Sequence, residues 1–491
     1  ARVIEDIVKS TKALPAGYLS LPDSDKIQAL INVNTIVSSE VLTDEIYADT
    51  LKVMAAIKDI QSNNGVEGCD RYVISHANSA LTVIEVYGLL LMSGWQAASL
   101  LVDIVPLFET VDDLDNAAGI MKELYELPAY REHLRIRKNK QTIMLGFSDG
   151  TKDGGYLMAN WSIYKAKEAL TQISRAYGID AIFFDGRGGP PARGGGKTHK
   201  FYASLGKNIA NEEIQLTIQG QTVSSNFGTI ESAQFNIEQL INAGISNDLF
   251  ASQKIILQDT EKELIQQLAK KSLAAYLELK QHPNFLEYLG HASPLRFYAA
   301  TNIGSRPAKR GGSGKLVLED LRAIPFVGSW SQLKQNVTGY YGVGTAFKKM
   351  DEEGRWEDVK RLYDKSTFFK TLIANCEMSM KKSFFPMTRF LSTHPVYGEI
   401  WNKIFDEYEL TKQYVFRLTG KNELMADYPV EQLSVQMRER IVLPLVTIQQ
   451  YAITKVRNLE EQDAGAAAKA VYEKLAMRCS FGIINAARNS A

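Results

Sequence analysis

Cysteine is nearly absent from this chain. Its 491 residues include three, Cys69, Cys376 and Cys479, far apart and with no CxxC spacing. That excludes a disulfide framework and a zinc knuckle, and it suits a reducing compartment, so a cytoplasmic location is expected. Long apolar runs are missing too. The best stretch, Leu81 to Met92, is short and contains Glu85, so no membrane span and no membrane partner are expected. Neither sign of charge is in excess: Lys+Arg is 56 and Asp+Glu is 56. A general nucleic-acid binder would be basic and is excluded, whereas a local basic pocket for a small anion is not. Walker A and GxSxG motifs are absent, and His199, His282, His291 and His394 show no HxxxH or HxH spacing. His76 follows a strand candidate and reads equally as a site residue or as a hydrogen-bonded structural histidine. The first residues, Ala1-Arg2-Val3-Ile4-Glu5, form neither a signal peptide nor an initiator Met, and the chain reads as a processed product or a fragment.

What is present is ordinary in bulk. Hydrophobic residues make up 45% and charged residues 23%, enough apolar surface to offset chain entropy and exclude global disorder. The length fits about three domains, or one large domain built on a closed sheet. Residues 1–65 read as a helical segment. Within it, Thr43-Asp44-Glu45 opens a helix with Ile46, Leu51, Val53, Met54 and Ile57 on one face, and Asn63-Asn64-Gly65 ends it. Residues 66–345 alternate short apolar runs with helical periodicity. The runs are Tyr72–Ile74, Asp103–Phe108, Thr142–Phe147 and Ala181–Phe184, with weaker ones at Phe297–Ala300 and Ala323–Val327. Apolar on both faces and alternating with helices is how buried parallel strands read, so an α/β fold with a (β/α) barrel is expected. Thr260-x-x-Glu263 reads as a capping box ahead of a further helix, and residues 346–491 read as mainly helical.

Each of the four clearest runs is followed by polar or charged residues, where such a sheet places its active site. The sharpest segment is Phe184-Asp185-Gly186-Arg187-Gly188-Gly189-Pro190-Pro191-Ala192-Arg193-Gly194-Gly195-Gly196-Lys197. Its glycines let backbone N–H groups approach a ligand, and its arginines match phosphate or carboxylate geometry. A disordered RGG-type RNA-binding segment sits in a polar tail rather than directly after a buried strand, and a ligand-free surface loop is the other bland alternative. An anion-binding loop is the reading that uses all of its residues. In Gly146-Phe147-Ser148-Asp149-Gly150-Thr151-Lys152-Asp153, Asp149 can bind a hard cation and Lys152 an anion, or the stretch is a solvated turn with a local ion pair. Glu109 ends another run and can be a second metal ligand, whereas Asp112 and Asp113 fit the first turn of a helix. A second Gly-rich basic stretch, Gly304–Lys315, is followed by Leu321-Arg322-Ala323-Ile324-Pro325. It reads as a lid over an anion or as a solvated basic loop.

Together these segments resemble the phosphoenolpyruvate carboxylase family, in the same order, from about Gly65 to Asn489. The region corresponds to the carboxyl-terminal half of that family. The stretch Ile143–Asp153 is similar to the family's lysine signature, with Phe147 where Tyr is usual and Gly150 where Ser is usual. The loop from Phe184 is similar to the element FHGRGG…GRGGGP, with Asp185 in place of its histidine. Arg306-Pro307-Ala308-Lys309-Arg310 and Leu321–Pro325 also match.

The resemblance implies a phosphoenolpyruvate/pyruvate-type barrel, possessed of many extra helices and incomplete in this chain. It implies conversion of phosphoenolpyruvate and bicarbonate to oxaloacetate and phosphate with Mg²⁺ or Mn²⁺. It places the metal on Glu109 and Asp149, Lys152 near bicarbonate, and substrate phosphate on Arg187 and Arg322, with Arg306 also binding substrate. Arg193 falls at a loop arginine needed for carboxylation. An inhibitor site for aspartate or malate maps to Arg193, Lys382, Arg438 and Asn489. The implied partners are the amino-terminal half of the same enzyme and further copies in a tetramer. The segment alone is expected to be nearly inactive. A non-catalytic anion-binding module and another phosphoenolpyruvate-using barrel enzyme are the alternatives.

Overall fold

The computed structural model describes residues 1–218, 220–249, 256–298, 317–462 and 465–487. Helix predominates, and the strands form one five-stranded sheet: β1 (Arg71–Ile74), β2 (Asp103–Phe108), β3 (Lys140–Gly146), β4 (Asp180–Gly186) and β5 (Ile214–Leu216). Their spatial order is their chain order. β1 and β2 pair in parallel, Arg71 opposite Asp103, and β2 and β3 do likewise, Phe108 opposite Leu145. Parallel neighbours need a crossover between them, and helices provide it. The helices used below are α1 (Glu45–Asn64), α2 (Ala80–Met92), α3 (Val111–Glu126), α4 (Phe147–Ala176), α5 (Thr198–Ser204), α6 (Asp259–Lys280), α7 (Ala323–Gln332), α8 (Thr367–Lys381), α9 (Gly398–Thr419), α10 (Pro429–Glu461) and α11 (Ala466–Ala487).

The described residues fall into two compact units. The first holds Ala1–Gly146, Lys165–Asp185 and Asn208–Gln215; the second holds Phe147–Tyr164, Gly186–Lys207 and the described residues from Leu216 onward. In the first unit, β2 buries nearly every side chain, because apolar residues occupy both of its faces. Val73 of β1 remains 38% exposed, as befits an end strand of the row. Trp95 Nε1 donates to the Met54 carbonyl at 2.9 Å, and Gln61 Nε2 donates to the Cys69 and Leu101 carbonyls. These bonds satisfy polar groups that packing takes out of water. The second unit is built of helices around an aromatic core that includes Tyr276, Phe326, Trp330 and Trp401.

Several sequence expectations change here. The run Ala323–Val327 is the start of α7, not a strand. A four- or five-residue apolar run fits a buried helix as well as a buried strand, and here it opens a helix that is mostly buried. Phe297 and Tyr298 lie in the short helix Leu295–Tyr298, while Ala299 and Ala300 lie outside the described residues. Phe147 begins α4 rather than ending β3. The capping box of α6 is formed by Gln258 and Glu261, two residues before the expected pair. In α1 the buried face is Ala48, Leu51, Met54, Ile57 and Gln61, whereas Ile46 and Val53 are exposed at 73% and 55%. The expected Asp44 and Gly65 boundaries of α1 do hold, and Gly65 has a φ of 82°. Asp112 and Asp113 occupy the first turn of α3, where Asp113 completes a capping box with Thr110.

Candidate active site

Asp149 and Lys152 sit in the first turns of α4, not in a solvated turn. The helix is interrupted at Gly155, whose φ is 72°. A Cβ there would lie 2.9 Å from the Tyr276 ring, so glycine is required on both counts. Tyr276 also braces this turn: its hydroxyl donates to the Lys152 carbonyl at 3.1 Å. Lys280 Nζ donates to the Asp153 carbonyl at 2.9 Å. The Lys152 ammonium itself donates to the Leu321 carbonyl. Leu321 precedes Arg322, the residue that caps the start of α7. Two segments 169 residues apart, both singled out from sequence, are therefore brought together.

The glycine-rich loop joins the same cluster. Arg193 is 2% exposed, and its Nε donates to Ser148 Oγ at 2.8 Å. The Arg187 guanidinium donates through Nε to the Gly194 carbonyl at 2.5 Å and lies 4.4 Å from the Phe201 ring centroid. Stacking on an aromatic face suits the planar guanidinium and fixes its plane. The Gly188 N–H donates to the Arg193 carbonyl at 2.6 Å, closing the loop on itself. A Cβ on Gly194 would lie 2.3 Å from Phe147, which explains one glycine of the motif by close approach. It also gives Phe147 a packing role, since this ring is buried against Gly194 and Phe201.

A cavity of about 330 Å³ opens beside the loop. Arg187, Gly188 and Lys197 line it from the loop side, Lys382 from the end of α8, and Glu431 and Arg438 from α10. Burial pushes the Lys382 ammonium down to about 8, helped by the positive charges of Lys334 and Arg438. Behind it, the almost wholly buried Lys334 is paired with Glu439 at 2.7 Å. Arg193 is turned toward Ser148 and is not among the cavity-lining residues. Arg306 and Asn489 lie outside the described residues.

The carboxylates named for a metal are partly buried. Glu109 follows β2 in the first unit, close against the adjoining end of β3: a Cβ on Gly146 would lie 3.2 Å from Glu109 Cα, a tight approach. Asp149 belongs to the second unit. Each is an oxygen donor of the kind a hard divalent ion takes, since such an ion uses one or two carboxylates and leaves the remaining positions to water and substrate. Among the described residues no cluster of three or more His, Cys, Asp or Glu could hold a metal unaided. His76 is exposed in a left-handed backbone, φ 58°, with Asn78 as its near neighbour.

Lys167 was not legible as a site residue. It lies in the first unit with its ammonium 2.7 Å from Asp185 Oδ2, the two side chains 1% and 0% exposed. The acid that replaces the expected histidine is thus neutralised by a buried cation. The signal was in the periodicity: Ile163, Ala166, Leu170 and Ser174 make a buried face of α4, and Lys167 falls on it. A lysine on such a face requires an acid.

The fold is that of a mainly helical α/β protein, and several cations line one of its cavities. The chain belongs to the phosphoenolpyruvate carboxylase family, whose model matches residues 1–490. It is 32% identical over 486 residues to the phosphoenolpyruvate carboxylase of Corynebacterium diphtheriae, covering 94% of this chain and 53% of that protein. The Nitrosomonas eutropha protein of the same name is 33% identical over 482 residues, with 94% and 51% covered. That of Thermosynechococcus vestitus is 30% identical over 488 residues, with 95% and 48% covered. The chain spans about half the length of the curated relatives it matches. Among the described residues no helix is long and apolar enough to cross a membrane.

Proposed function

We propose that this chain is the carboxyl-terminal part of a phosphoenolpyruvate carboxylase, joining phosphoenolpyruvate and bicarbonate to give oxaloacetate and phosphate. The observation that carries the reading is that the opening turns of α4 meet both other motifs in a member of that family, Lys152 at the Leu321 carbonyl and Ser148 at Arg193 of the glycine-rich loop. In the proposed reaction a bicarbonate oxygen attacks the phosphoryl group and the enolate departs. Carboxyphosphate then releases CO₂ and phosphate, and the enolate carbon attacks the CO₂. Arg187 and Arg322 neutralise the phosphoryl oxygens, with Arg306 as a further substrate contact. Lys152 orients bicarbonate, and Arg193 holds the loop that keeps water from the enolate. Glu109 and Asp149 are the residues that would hold Mg²⁺ or Mn²⁺, which would supply charge neutralisation for the enolate oxygen.

The barrel, the cytoplasmic location and a homotetramer belong to the same proposal. So does an aspartate or malate site at Arg193, Lys382, Arg438 and Asn489, supported by the shared cavity of Lys382 and Arg438 with Arg187. A second reading, a non-catalytic anion-binding module, is favoured by Asp185 in its ion pair where the family motif has histidine. Phosphate release from phosphoenolpyruvate separates the two in a protein of the relatives' full length that carries these residues. Release that requires both bicarbonate and divalent metal supports the carboxylase. Release without bicarbonate points to another phosphoenolpyruvate enzyme, and none at all to the binding module.

A further inference from the structure

The cavity beside the glycine-rich loop is not uniformly basic. Arg187, Lys197, Lys382 and Arg438 line it, and so does the carboxylate of Glu431 in the first turn of α10. Burial raises the affinity of Glu431 for its proton, but a backbone hydrogen bond and the nearby Lys197 and Lys200 outweigh this and hold it below the ordinary carboxylate range. It is therefore an anion at neutral pH. Lys197 Nζ lies 3.4 Å from its Oε1, and Lys200 is placed over the Tyr428 ring at 4.0 Å. A carboxylate has about four lone-pair sites, so one lysine contact does not exhaust it. A second, smaller recess also counts Glu431, Lys197 and Lys200 among its walls. The carboxylate thus has a fixed place between the loop and α10.

A purely anionic ligand entering this cavity meets the cations with profit and Glu431 with repulsion. A ligand that also carries an ammonium group meets both signs with their complements. We propose that Glu431 is a specificity-determining residue that makes this cavity select an amino dicarboxylate over the same dicarboxylate without the amine. In this arrangement Lys382 and Arg438 take the carboxylates, and Glu431 takes the ammonium. The inference rests on the reading of the cavity as an effector site and adds to it the residue that distinguishes a ligand with an amine from one without.

Calorimetric titration of the 491-residue chain with aspartate, succinate and inorganic phosphate tests it, in the wild type and in Glu431→Gln. The wild type binds aspartate more tightly than succinate. Glu431→Gln weakens aspartate by about tenfold, the size expected for one charge-assisted hydrogen bond, and leaves succinate equal or tighter. Retained succinate binding shows that the variant's cavity is intact. Succinate bound as tightly as aspartate by the wild type, or an aspartate-to-succinate ratio unchanged by Glu431→Gln, overturns the role of Glu431 and leaves the anion site standing. Failure of all three ligands to bind the wild type overturns the effector-site reading itself, and the inference with it.

Discussion

In the first unit, Lys167 and Asp185 meet at 2.7 Å with both side chains almost wholly out of water. In the second, Arg187, Lys197, Lys382 and Arg438 gather on the walls of one cavity beside Glu431. The first arrangement settles its charge within the protein: each ion is the solvation of the other. The second gathers several cations, as the lowered Lys382 ammonium records, and in the proposed function it receives an anion from outside. The difference teaches where each kind of substitution should be felt. A cut through the first should appear as lost stability, and a cut through the second as lost affinity.

The largest expected effect tests the first half of that contrast. Lys167→Met removes the ion-pair partner of the buried Asp185 carboxylate and should cost about 3–5 kcal/mol in chemical denaturation. Lys167→Met combined with Asp185→Leu should recover most of it, since replacing both ions by apolar groups is often near neutral. A single variant as stable as the wild type would break the comparison at its root. Lys382→Met tests the other half. It removes a cation from a like-charged group, so stability should hold or rise, while affinity for aspartate falls by about tenfold or more. A drop in stability without a change in affinity would reverse the assignment of the two regions.

The proton on Lys382 gives a finer test. Its folded value of about 8 lies below the ordinary 10.5, and an anion favours the protonated form. Aspartate affinity should therefore be steady below pH 8 and fall as pH rises through it, and Lys382→Met should flatten that part of the profile. The smallest effect concerns Glu377 on α8, which accepts a hydrogen bond from the Met425 N–H at 3.0 Å. Burial raises its carboxyl from 4.5 to about 7. A raised folded value favours the protonated form, so this group's contribution is full below about 4.5 and is lost as pH rises through about 7. Glu377→Gln should remove that slope from a thermal-stability profile between those pH values.

Much of this was legible because chemistry and periodicity coincided. The four strands with apolar residues on both faces stood out, and so did the glycine-rich loop, whose residues serve close approach and positive charge at once. Leu321–Pro325 was found as a motif, yet its apolar run was read as a strand, since five residues do not distinguish a period of 2 from one of 3.6. β5 left no signal, being three residues long with a polar centre, Gln215. Lys152's contact with the Leu321 carbonyl and Glu431's place in the cavity depend on chain segments far apart in sequence, which no local pattern encodes. Lys167 lay between: its position on a buried helical face was visible, but its partner 18 residues on became evident only in three dimensions.

Titration of phosphoenolpyruvate into the chain in the presence of Mg²⁺ tests the central claim most directly, in the wild type and in Arg187→Met. The loop built around Arg187 is predicted to give saturable binding that weakens by about tenfold or more in the variant, as loss of a charge-assisted contact requires. Equal affinity in the two proteins, or no binding by the wild type, would contradict it.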